Sequence, residues 1–148
     1  MGTVQKSITV ALPVTTVYNQ WTQFEDFPEF MEGVESVAQL DDRRLHWVAE
    51  IGGARREWDA EIVDQSPDQR IAWEAVSGTR NAGAVSFRPA GTGQTRIDLE
   101  IAYETEGITE KAGDALGVID RRVDGDLERF KSFIESRGVE TGAWRGSV

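Results

Sequence analysis

Few side chains in this 148-residue sequence are equipped for chemistry. His46 is its one histidine, and it has no cysteine. Thiolate nucleophiles, disulfides and ordinary zinc sites are thereby excluded, and a Ser-His-Asp triad is left without support. By strand parity His46 stands opposite Trp47 and faces outward. Arg56 is better placed, because alternation puts it on an inward face with Trp58, Ala60 and Ile62. A buried guanidinium needs an acceptor. It could hold a ligand carbonyl and stabilise an enolate forming there, or sit at the strand's start and snorkel to water. Tyr103 shares a face with Ile97, Leu99 and Ile101. It could donate to a ligand carbonyl or relay a proton, although buried tyrosines more often bond a backbone carbonyl. Arg121 and Arg122 read as solvated partners of Asp120, Asp124 and Asp126. No inward pair of carboxylates offers general acid–base catalysis. GTGQTR (91–96) joins two strands and opens no helix, so it is not a phosphate loop. These residues call for neither metal nor cofactor.

Composition narrows the partners. The formal net charge is −10, with 39% hydrophobic and 28% charged residues. That is ordinary for one globular domain with a proper core. The acidic balance repels nucleic-acid backbones and anionic lipid surfaces. No apolar run is long enough to cross a bilayer. The opening MGTVQKSITVALPV has one lysine and no signal-type apolar stretch, so a cytoplasmic location is expected. A monomer and a homodimer are equally compatible with the sequence.

The elements that must position these groups follow from periodicity. VQKSITV (4–10) alternates as a strand. Pro13 opens a helix whose Val14, Val17, Tyr18 and Trp21 form one apolar stripe. Pro28 interrupts it, so WTQFEDFPEFMEGV (21–34) reads as a second short helix or turn over 24–31. Six strands follow at 34–40, 44–51, 54–65, 70–76, 82–87 and 95–104. Their connections are short and turn-forming, Gly52-Gly53 foremost, so neighbours pair antiparallel. A helix over 113–137 carries Leu116, Ile119, Val123, Leu127, Phe130 and Ile134 at steps of three and four, and Gly138 stops it. Gly117 and Gly125 inside it allow a close approach to the sheet, or a kink. The segment 139–148 reads as a loose tail apart from Trp144. Only one long helix is available to cover the apolar face of the sheet. Trp47, Trp58 and Trp73 lie inward on neighbouring strands, either as core or as a stacking wall for a flat ligand.

Together these residues resemble the START-like superfamily, also called SRPBCC or helix-grip, within its polyketide cyclase/dehydrase and coenzyme-Q-binding branch. The resemblance rests on VALPVTTVYNQWTQFEDFPEFM, VESVAQLDDRRLHW, REWDAEIVDQSPDQRIAW, AGAVSFRPAGTGQTRIDLEIAYE and GDLERFKSFIESRG. It covers roughly residues 3 to 138, and implies one domain over 1–138 with 139–148 as its tail. It implies an α+β fold of Bet v 1 type: a seven-stranded antiparallel sheet curled round the long helix, with two short helices after the first strand. It further implies an apolar cavity between sheet and helix, with residues 24 to 33 as a lid at its mouth. Phe24, Phe27, Phe30, Met31, Trp47, Trp58, Trp73, Phe87, Leu116 and Val123 are then the ligand-binding candidates, and Arg56 and Tyr103 the catalytic ones. The implied ligand is a hydrophobic small molecule of polyketide, lipid or isoprenoid type. Members include enzymes, carriers and co-chaperones, so a cyclase and an interaction module remain alternatives. Counting from Trp58, the place where aromatase/cyclase relatives carry arginine is filled here by Glu61.

Overall fold

The structure is a computed structural model that describes residues 2–31, 33–51, 54–78, 81–103 and 112–144. For 51, 54, 103 and 112–119 it describes the backbone alone. The Gly52-Gly53 turn therefore lies outside the described residues, as do the side-chain surroundings of Gly117.

Seven strands form one antiparallel sheet: β1 Gly2–Val10, β2 Val34–Gln39, β3 Arg44–Ile51, β4 Ala54–Ser66, β5 Arg70–Gly78, β6 Asn81–Gly91 and β7 Gln94–Tyr103. β2 to β7 meander, and β1 crosses over to pair with β7, giving the order β1-β7-β6-β5-β4-β3-β2. Between β1 and β2 lie α1, Val14–Trp21, and a short 3-10 helix, Phe24–Glu29, that contains Pro28. The last element is α2, Ala112–Arg137. This is the helix-grip arrangement that the resemblance implies.

The alternation read from sequence sets the two faces. On β7, Ile97 and Leu99 are buried while Arg96 and Asp98 lie outside and pair at 3.0 Å. β4 departs from simple alternation at two bulges, Asp59/Ala60 and Ile62/Asp64. After the second, Gln65 turns inward, and Asp64 turns outward to pair with Arg70 at 2.7 Å. Such bulges add one residue and reset the parity of everything that follows.

Val123, Leu127, Phe130 and Ile134 carry the buried stripe of α2 against the sheet. Its outer half is clamped to β1: Lys131 donates to the Thr9 carbonyl at 2.9 Å, and Glu135 accepts the Ala11 N–H at 2.8 Å. Gly138, at φ +75°, ends the helix with its N–H on the Ile134 carbonyl. At Gly125 the nearest group is not the sheet. A Cβ there would stand 3.0 Å from the Arg129 guanidinium, which folds back over the helix.

The tail is where the sequence reading fails. Residues 139–144 are tied down rather than loose. Gln20, fully buried, accepts the Thr141 N–H at 2.8 Å and donates to its hydroxyl at 3.2 Å. Trp144 N–H donates to Thr22 at 2.8 Å, and buried Gln65 donates to the Trp144 carbonyl at 3.0 Å.

Candidate functional site

The phenylalanines of the Pro28 segment do not reach into water. Phe24, Phe27 and Phe30 are at most 2% exposed. They continue an aromatic chain: Phe24 meets Phe27 at 5.5 Å, Phe27 meets Trp21 at 5.7 Å, and Trp21 meets Phe130 of α2 at 5.0 Å. Phe30 reaches the same Phe130 at 5.1 Å. Edge-on ring pairs at this spacing add to the area they bury. The segment is thus a plug between α2 and the end of the sheet, held further by Arg129, which donates to the Phe30 carbonyl at 2.9 Å.

Beside this plug the sheet and α2 part to leave a cavity of about 120 Å³. Trp47 and Trp58, direct partners across β3 and β4, form its wall as a parallel pair with centroids 5.7 Å apart and planes 9° from coplanar. Trp21, Phe27, Trp73, Leu99, Ile101 and Leu127 continue the wall. Trp73 lies across Gly83 of β6, its register partner. The half-buried wall residues form the rim: Met31, Gly33 and Val34 from the sheet side, Arg122 and Asp126 from α2. Three wall tryptophans, Trp21, Trp47 and Trp58, bury indole N–H groups that meet no acceptor among the described residues. An indole nitrogen can only donate, and leaving it unsatisfied costs about 1–3 kcal/mol.

The candidates divide accordingly. Phe27, Met31, Trp47, Trp58, Trp73 and Val123 line the cavity; Phe24, Phe30 and Phe87 are packed in the core behind it. The side chains of Leu116 and Tyr103 lie outside the described residues. Arg56 is half-buried, paired in register with the wall residue Ala49, and stands next to the cavity rather than in its wall. Glu61 is not in the cavity either, because it lies 3.5 Å from Arg44 in an ion pair. His46 is outward: Nδ1 lies 2.6 Å from Asp59 and Nε2 3.2 Å from Glu57, and hydrogen bonds to these two carboxylates raise its pKa above the usual histidine value. Among the described residues no group of three acidic or histidine side chains is placed to hold a metal. The polar wall residues not named as candidates from the sequence are Asn81, Arg122 and Asp126; Trp21, Leu99, Ile101 and Leu127 are apolar wall residues likewise not named there. Arg122 sits one position beside the apolar stripe of α2, the place where a helix residue meets a rim, and that was the available signal.

Residues 10–131 match the model of a family described as polyketide cyclase / dehydrase and lipid transport. The chain belongs to this family. Within the polyketide cyclase/dehydrase family, an uncharacterized 17.2 kDa protein of Streptomyces lincolnensis is 50% identical over 100% of this chain and 99% of its own. A solved structure from Deinococcus radiodurans is 28% identical, with a TM-score of 0.73 over 93% of this chain and 100% of that one. The Zhui aromatase/cyclase of a Streptomyces species is 18% identical, with a TM-score of 0.79 over 97% of this chain and 99% of that one. It shares the fold of the family. No helix among the described residues is long and apolar enough to cross a membrane.

Proposed function

We propose that the protein binds a hydrophobic, flat small molecule in the cavity between the sheet and α2. The observation that carries this reading is the wall itself: stacked indoles among apolar neighbours. Such a wall favours a flat ring system that stacks on the indole faces and buries apolar surface. The space of about 120 Å³ is small beside ordinary ligand sites of roughly 300–1,000 Å³. A ligand of ordinary size therefore requires the space to widen. Met31 is the residue suited to that, being unbranched and adaptable. Binding then belongs with a shift toward an opened state, and the closed form is what the ligand works against.

Native mass spectrometry of gently purified protein tests this, with the denatured mass as reference. The expected result is a discrete added mass that is lost on denaturation. A clean spectrum across several preparations, with no uptake of polycyclic or quinone probes, would refute it.

A second reading is favoured by the family's description and by the shared fold with an aromatase/cyclase. There the protein pre-folds a poly-β-ketone chain and stabilises the enolate during aldol closure and water loss. Arg56 and Tyr103 are its candidate residues. Arg56→Ala separates the two readings. In a carrier it changes affinity alone; in a cyclase it abolishes cyclised product while binding is retained.

A further inference from the structure

The rim of the cavity is polar at one point. Arg122 is the one cation among the described residues that line it. Its guanidinium crosses from α2 to the end of β3 and donates to the Glu50 carbonyl. Several arginines of this acidic chain pair with carboxylates, among them Arg44 with Glu61, Arg55 with Glu35, Arg70 with Asp64 and Arg88 with Asp98, while Arg137, like Arg122, donates to a backbone carbonyl. Arg122 has no such partner among the described residues. The nearby rim carboxylate, Asp126, is bound to Arg129 at 2.5 Å instead. A neutral carbonyl thus occupies one donor of a five-donor fork whose natural complement is an oxyanion.

The backbone makes room for this group. Gly33 takes φ +85°, and a Cβ there would stand 2.8 Å from the Glu50 carbonyl oxygen and 2.9 Å from the Arg122 Cζ. Gly33 also accepts the Glu50 N–H at 2.7 Å. The three residues meet at the rim of the apolar space. An anion arriving at the rim offers Arg122 a stronger, charge-assisted acceptor than the carbonyl it now holds.

We propose that Arg122 receives the head group of the ligand, and that the ligand is an aromatic carboxylate. Its ring fills the tryptophan-walled space, and its carboxylate draws Arg122 off the Glu50 carbonyl. The proposal rests on the cavity reading above and adds the charge of the ligand to it.

Isothermal titration with 2-naphthoate and 2-naphthamide tests this, since the pair differs in charge and hardly in shape. The unaltered protein should bind the carboxylate about 10- to 100-fold more tightly than the amide, the range of a charge-assisted bond. In Arg122→Gln the preference of carboxylate over amide should vanish, whatever the change in the amide's own affinity; Arg122→Lys should keep part of it. Equal binding of the two probes by the unaltered protein overturns the assignment of Arg122 and leaves the cavity standing. So does a preference that survives in Arg122→Gln. Failure of both probes to bind overturns the cavity reading and this proposal together.

Discussion

Gly83→Ala is a substitution whose sign the structure decides. Replacing a strand glycine by alanine ordinarily gains about 0.5–1 kcal/mol through reduced backbone freedom. At this position the new methyl carbon would lie 2.8 Å from Cε2 and 3.0 Å from Cη2 of Trp73, and closer still to Cζ2. Carbon atoms rest at about 3.5–4.0 Å, so the indole must retreat by roughly 1 Å. Trp73 belongs to the buried core cluster on one side and lines the cavity on the other, so its retreat either strains the core or consumes the cavity. Overpacking of this kind costs about 1–3 kcal/mol, which exceeds the backbone gain. In a chain of this size the melting temperature should fall by roughly 2–10 °C. Differential scanning calorimetry reads this directly. A double-mutant cycle with Trp73→Leu locates the cause: Gly83→Ala should cost little once the indole is gone, giving a coupling of about 0.5–3 kcal/mol. A Gly83→Ala protein that melts at or above the temperature of the unaltered chain would refute the reasoning. So would additive single effects.

Two further outcomes follow from contacts described above. Deleting residues 139–148 strips partners from buried Gln20 and Gln65, and should lower stability by roughly 2–4 kcal/mol at about 1 kcal/mol per hydrogen bond; an unchanged urea midpoint would show the tail to be idle. His46 has its pKa raised in the folded protein by Asp59 and Glu57, so its contribution is complete below the unfolded value of about 6.5 and is lost as pH rises through the higher folded value. The side chains are more than a third exposed or close to it, so the slope is small. Urea titrations on both sides of that window should show it in the unaltered protein and not in His46→Gln, and equal slopes would count against it.

The sheet and the long helix were readable because each has one wet face and one dry face. Ile97 and Leu99 inside, Asp98 outside, needed no tertiary information, and Gly138 announced the helix end by its conformational freedom. Four features were not readable, each for its own reason. The bulges of β4 depend on pairing with β5, so nothing local marks Gln65 as inward and Asp64 as outward. The docked tail depends on amide side chains from α1 and β4 meeting it across the molecule, and polar residues near a chain end look solvated in isolation. Core and cavity wall make the same demand on a side chain. Phe27 and Phe30, three residues apart, are therefore alike in sequence, yet one lines the cavity and the other packs on Phe130. Arg122 was read as solvated because helical spacing tells which residues border an apolar stripe but not what lies beyond the border.

The pairing of β1 with β7 joins the two ends of the sheet's sequence, Gly2 with Tyr103 and Val10 with Thr95. During synthesis β1 is made before its partner exists. At about 5–20 residues per second, the roughly ninety residues between them take on the order of 5–20 seconds to appear. Hairpins from β2 to β7 form from near neighbours and need no such wait, so β1 adds to a largely assembled sheet at high cost in loop closure. Until it does, β7 presents an open edge of unpaired backbone groups. A first strand from a second copy satisfies that edge as well as its own. The crossover that completes the fold is thus also the point at which two chains can exchange strands, and at high concentration a variant that loosens β1 has exchange, rather than unfolding, as its route out of the native state.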